Sequence, residues 1–137
     1  MSYLVDANVL CEATRPRAEA RVLDWLDRHD AQLHVSVITL GEILKGINLL
    51  SKGRKQRRLE TWFADLEASF DGRVLLLDPP VMREWAALYA RHQRAGRLLS
   101  SFDSLLAATA SLHGLTLVTR NESDFPAEVP VVNPWLE

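Results

Sequence analysis

Residues 3–10 read Tyr3-Leu4-Val5-Asp6-Ala7-Asn8-Val9-Leu10, and the change of rhythm at Asp6 decides how the chain is built. Before it stands a short continuous apolar run, the pattern of a strand covered on both faces. After it a helical stretch is expected from Ala7 to Arg15-Pro16, where proline breaks it. The alternation recurs downstream. Val22, Trp25, Leu26 and His29 keep helical spacing, and Leu33 to Val37 reads as a second strand. Two helical stripes follow, Leu40-Ile43-Leu44-Ile47-Leu50 and Leu59-Trp62-Phe63-Leu66-Phe70, separated by Ser51-Lys52-Gly53. Val74–Leu77 is a third strand, and Asp78 before Pro79-Pro80 is an N-cap with prolines where a first helical turn permits them. Val81, Trp85, Leu88 and His92 then face one way, with Gly96 as a stop. Phe102–His113 is apolar or small all round, the signature of a buried helix, and Gly114 ends it. Thr116–Thr119 and Val129–Val132 supply a fourth and a fifth strand.

Apolar strands alternating with helices predict an α/β fold. The expectation is one three-layer α/β/α domain over residues 1–137, with a central, mainly parallel sheet of four or five strands. Ligands in such folds gather outside the carboxyl ends of the strands. Length allows one domain. Sixteen basic against eighteen acidic residues leave a net charge of −2, which excludes a polybasic protein whose whole surface binds nucleic acid. The apolar runs are too short to span a bilayer, and the N-terminus lacks the basic start and apolar core of a signal peptide. Cys11 is the single cysteine, so no internal disulfide forms and a cytoplasmic location is expected. The four histidines show no metal-ligand spacing.

The acids carry the chemistry. Asp6 ends the first strand, Glu42 lies in the first turn after the second, Asp103 opens the buried helix and Asp124 follows the fourth strand. Each has a plain structural reading alone: Asp6 as a helix cap, Glu42 as a solvated surface group, Asp103 as part of a Ser100–Asp103 capping box, Asp124 as a loop acid. Taken together, the four converge on one edge of the sheet. Converging carboxylates repel, and without a cation at least one pKa rises. Oxygen-only ligands suit Mg²⁺ or Mn²⁺, which predicts a metal site open to a phosphate-bearing substrate.

Four blocks resemble the PIN-domain ribonucleases, specifically the VapC-type toxins of bacterial toxin–antitoxin pairs. They are Leu4–Leu10, Ser36–Ile43, Phe102–Ala110, and His113-Gly114-Leu115 through Val118-Thr119-Arg120-Asn121 to Asn133-Pro134-Trp135. The resemblance implies that Asp6, Glu42 and Asp103 are the acidic metal-site positions, with Asn8 and Thr39 as supporting polar groups. Thr119 belongs to the last block. Relatives often carry their fourth acid two residues after that threonine, where this chain has Asn121, so either Asp124 or Asn121 completes the set. The resemblance further implies Mg²⁺ or Mn²⁺ dependence, RNA cleavage by water, homodimerisation or a dimer-based assembly, and inhibition by a cognate antitoxin protein.

The cations Lys52, Arg54, Lys55, Arg57 and Arg58 cluster between two helices, and Arg91, Arg94 and Arg97 precede Asp103. Lys52, Arg54, Lys55, Arg94 and Arg97 are the candidates for RNA phosphates, against the reading of a solvated face. The tryptophans fall mainly on core stripes, and Cys11 is expected to be a small buried side chain. A phosphoacceptor receiver shares the acids at strand ends, but it needs a lysine after a late strand, and the only lysines are Lys45, Lys52 and Lys55. A non-catalytic RNA- or partner-binding module of the same fold is the remaining alternative.

Overall fold

The first strand, β1 (Tyr3–Val5), is buried on both faces and occupies the middle of the sheet. The computed structural model describes all residues, Met1–Glu137. β1 pairs in parallel with β2 (Leu33–Ser36) on one side and with β4 (Thr116–Val118) on the other. β3 (Val74–Leu75) and β5 (Val131–Val132) are the edges, giving the order β3-β2-β1-β4-β5 with every pairing parallel.

Side chains alternate across this sheet into two cores. Val5, Val35 and Val118 face α1 (Ala7–Leu10), α2 (Ala20–Arg28), α3 (Val37–Asn48) and α4 (Arg54–Ser69), meeting Val9, Val22, Ile43, Ile47 and Phe63. Leu4 and Leu117 face the opposite way, toward α5 (Pro79–Arg94) and α6 (Ser101–His113), meeting Leu88, Leu106, Ala107 and Ala110. The alanines of α6 let that helix approach the sheet closely. Truncating a fully buried leucine such as Leu117 to alanine costs about 2–5 kcal/mol in layers packed this way.

The α/β expectation is met, with five strands and no antiparallel pair. The strands are shorter than their apolar runs. β3 stops at Leu75 rather than Leu77, because its partner β2 has already turned into α3, and Leu76 is 61% exposed. β5 begins only at Val131, since Pro130 has no N–H to give a ladder. β4 ends at Val118, although the Thr119 amide still donates to the Val132 carbonyl.

The helix expected over Ala7–Arg15 ends at Leu10 and tightens into a 3₁₀ turn, Cys11–Thr14. The tighter turn carries Glu12 inward, where its carboxylate accepts the Glu19 amide at 2.8 Å and pins the loop after Pro16. α4 starts at Arg54, five residues before its apolar stripe. Arg54, Lys55, Arg57 and Arg58 therefore lie in its opening turns rather than in a junction. Cations there oppose the helix dipole, which is why the stripe alone misplaces the start.

Candidate active site

Two helices begin where two neighbouring strands end, and this puts the polar residues at one edge. Asp6 leaves β1 and caps α1, its Oδ1 accepting the Ala7 amide at 2.8 Å. Ser36 leaves β2 and caps α3, its Oγ accepting the Ile38 amide. Thr39 and Glu42 then lie three residues apart, which places them on one face of α3. From the far side, Ser100 caps α6 by accepting the Asp103 amide at 3.1 Å. That is one half of the capping box expected there. Trp85 Nε1 donates to Ser104 Oγ at 2.9 Å, and Ser104 donates to the Ser101 carbonyl, so α5 fixes the turn that carries Asp103.

Asp6 is at the centre. Its Oδ2 accepts the Thr119 hydroxyl at 2.8 Å and lies 3.4 Å from Asn8 Nδ2. Thr119 Oγ1 in turn accepts the Asn121 amide, while Asn8 Oδ1 accepts the Arg120 amide. Burial pushes the Asp6 carboxyl above its ordinary value; the bonds from Thr119 and Ala7 pull the other way, and the charges of Asp103 and Asp124 push it further up. Glu42 is raised too, by burial and then by Asp6 and Asp103, with Lys45 opposing. Cys11, half-buried rather than enclosed, is raised by burial and by Asp6 and Glu42. Asp6, Glu42, Asp103 and Asp124 thus share one field, and none of them has an arginine or lysine within ion-pair distance.

No three of these acids are drawn into a single coordination sphere. Their charges repel, and Lys45 beside Glu42 is the one cation that offsets them, from outside ion-pair distance. Asp103 is half-buried, whereas Asp124 is exposed on a 3₁₀ turn, Glu122–Asp124. Asn121 is exposed and is anchored through its backbone rather than its amide side chain. Thr39 is fully buried and its hydroxyl oxygen has no hydrogen-bond partner. A buried orphan hydroxyl is costly, so one beside Glu42 marks a place for a further polar group.

A groove of about 470 Å³ runs away from Glu42 between α1, α3 and α4. Ile43, Ile47, Leu59 and Trp62 form its apolar floor, and Lys55 and Arg58 stand on its wall. The stripes Leu40–Leu50 and Leu59–Phe70 supply two of its walls, and the fold brings the third, from Ala7 to Pro16, against them. Of the predicted phosphate contacts, Lys55 lines this groove, with Arg54 beside it in the first turn of α4 and Lys52 in the preceding loop. Arg94 is exposed at the end of α5. Arg97 is engaged elsewhere. Its Nε donates to His92 Nδ1 at 2.9 Å, and buried His92 reaches Glu128 through Nε2 at 2.7 Å. Burial pushes Glu128 up, but the bonds from His92, its own backbone and Arg91 outweigh it and hold the carboxyl at about 2.

Asp6 at the end of β1, Glu42 in α3, Asp103 at the start of α6 and Asp124 on the turn after β4 are near enough for their charges to be felt at Asp6 or Glu42. The PIN domain model matches residues 3–127. The chain belongs to the PIN-domain family. It is 38% identical to Toxin FitB of Neisseria gonorrhoeae over 96% of this chain and 97% of that protein. It is 32% identical to VapC ribonuclease Y4jK of Sinorhizobium fredii, covering 96% of each. The solved structure of FitAcB from Neisseria gonorrhoeae superposes with a TM-score of 0.90 at 36% identity, over 97% of this chain and 98% of that one. The PIN fold therefore extends through nearly the whole chain. No helix is long and apolar enough to cross a membrane.

Proposed function

We propose that this PIN-domain chain is a VapC-type toxin: a Mg²⁺- or Mn²⁺-dependent ribonuclease that hydrolyses RNA phosphodiester bonds with water and is inhibited by a cognate antitoxin. One observation carries the reading. Asp6, Glu42, Asp103 and Asp124 gather at one end of the sheet, where burial and then their neighbours' charges raise the carboxyls of Asp6 and Glu42, and none of the four is ion-paired. The relatives named a VapC ribonuclease and a toxin support it.

The donor set fits a hard divalent ion. Asp6, Glu42 and Asp103 offer carboxylate oxygens, and Asp124, whose charge is felt at Asp6, is better placed than neutral Asn121 to complete the charge. When bound, the ion would lower the pKa of a water and offset the charge of the scissile phosphate. The chain's own residues do the rest. Thr119 and the Ala7 amide bias Asp6 toward its ionised form and fix its orientation. Asn8 and Thr119 lock each other and Asp6 into one polar knot across the ends of β1 and β4. Trp85 and Ser104 hold the first turn of α6 so that Asp103 faces the same edge.

The apolar groove and its cationic wall suit the antitoxin. Apolar side chains of the partner would fill the floor along Ile43, Ile47 and Trp62, and a partner arginine would bridge the carboxylates through its planar fork. That arginine would take the place of the metal. Self-association as a dimer is part of the same proposal.

The test is direct. Purified protein freed of antitoxin is incubated with RNA and Mg²⁺ or Mn²⁺, with and without EDTA. Cleavage that leaves 5′-phosphates and stops in EDTA is expected. Undiminished cutting in chelator, after contaminating nucleases are excluded, overturns the metal mechanism. RNA binding without any cleavage points to the non-catalytic module.

A further inference from the structure

The acids explain how RNA is cut but not how a polyanion is brought to a site that repels it. Outside the lining of the apolar groove, Trp135, which follows β5, lies between Arg120 after β4 and Arg21 of α2. The guanidinium of Arg120 lies over the Trp135 ring, its carbon 4.8 Å from the ring centroid. Arg21 Nη1 donates to the Trp135 carbonyl at 3.0 Å. Both arginines are exposed, and neither has a carboxylate within ion-pair distance, although acids surround the neighbouring site.

The local backbone is fixed for this purpose. Asn133 Oδ1 accepts the Trp135 amide at 2.9 Å, while Asn133 Nδ2 reaches the Arg120 carbonyl at 3.4 Å. The Arg120 amide donates to Asn8 Oδ1, and Asn8 Nδ2 lies 3.4 Å from Asp6 Oδ2. Arg120 is therefore one side chain away from the carboxylate at the centre of the site. A guanidinium held over an indole by cation–π attraction is already partly ordered and loses little rotamer freedom when an anion arrives.

We propose that Arg120 and Arg21, organised by Trp135, form a subsite for the backbone phosphates of the RNA strand next to the scissile bond; the proposal rests on the ribonuclease reading above. Sheet order favours RNA over a protein partner here. β1 with Asp6 lies between β2, which leads into α3 and the apolar groove, and β4, which leads into Arg120, and neither arginine nor Trp135 lines that groove. A strand crossing Asp6 passes from one flank to the other. Arg120 and Arg21 offer two exposed cations to phosphates, and phosphate contacts position a strand without reading its bases.

The experiment measures binding of a short fluorescein-labelled single-stranded RNA of mixed sequence, by anisotropy in EDTA, across a potassium chloride series. Arg120→Gln, Arg21→Gln, the double variant and Arg120→Lys are compared with wild type, folding being checked by circular dichroism. Each lost phosphate contact lowers the log–log salt slope by about 0.7 and weakens low-salt binding roughly three- to tenfold. Arg120→Lys falls between wild type and Arg120→Gln, because charge is kept without the planar fork. In cleavage assays KM rises while kcat changes little. Variants that bind with wild-type affinity and slope overturn the subsite and leave the ribonuclease reading standing. Unchanged RNA binding with a fall in antitoxin affinity alone overturns the subsite equally. A wild type that binds no RNA overturns both.

Discussion

Thr119 and Asp6, 113 residues apart, are joined by a 2.8 Å hydrogen bond in which the threonine hydroxyl donates to Asp6 Oδ2. It ties the end of β4 to the end of β1 at the point where the acids meet. It also lowers the Asp6 pKa against burial and the charges of Asp103 and Asp124. Thr119→Val removes the donor at nearly constant shape, so Asp6 is protonated at higher pH. The expected result is an acid limb of the rate–pH profile displaced upward, with activity recovering as pH rises. An unmoved limb would mean that the hydroxyl leaves Asp6 unaffected during turnover.

Asp6→Asn and Asp103→Asn are expected to remove cleavage while the fold survives. Losing one carboxylate of the set costs about 3 kcal/mol or more of transition-state stabilisation, at least a hundredfold in rate. Glu42→Gln should behave alike, and Asp124→Asn should cost less because that side chain is exposed. Cleavage of a labelled RNA, alongside thermal melts, distinguishes lost chemistry from lost structure.

Stability should depend on pH and metal together. Asp6 and Glu42 have folded pKa values raised above their ordinary ones, so folding favours their protonated forms. Their contribution to stability is complete below the ordinary carboxylate range and is lost as pH rises through the raised values. Metal-free protein should therefore melt higher in mildly acidic than in mildly alkaline buffer. Added Mn²⁺ should raise the melting temperature most at the higher pH, where the carboxylates are ionised. Glu128 acts in the opposite direction, since its carboxyl is held at about 2; its contribution is lost only on stronger acidification. Calorimetric melts at both pH values, with and without metal, test the scheme.

The antitoxin should compete with metal. Titration of the cognate antitoxin into wild type should show weaker binding in Mg²⁺ than in EDTA, and Asp103→Asn should weaken it as well. Lys55→Glu and Arg58→Glu, on the groove wall, should each cost about 0.2–1 kcal/mol and flatten the salt dependence, as exposed pairs do. Affinity indifferent to metal and to all three changes would place the antitoxin away from this cleft.

Asp6 and Asp103 are legible in the sequence because local pattern positions them: one ends an apolar strand, the other opens an apolar helix. Their convergence follows from the parallel topology alone. Arg120 is not legible as a contact, because an exposed arginine after a strand looks like any surface cation until Trp135, fifteen residues on, is found beneath it. Cys11 and the groove beside it depend on how α1, α3 and α4 lean together, which no single stripe encodes. The start of α4 is hidden by its own basic first turns, where propensity and dipole disagree.

The place of β1 in the sheet has a consequence for synthesis. The first strand made pairs with β2 and with β4, so its ladder stays half empty until residues 116–118 have left the ribosome. The Thr119–Asp6 bond waits equally long, and with it the orientation of the central carboxylate. At about 5–20 residues per second, the chain spends most of its translation without an assembled site. A partner already present would then meet a chain whose central carboxylate is held only once Thr119 has emerged.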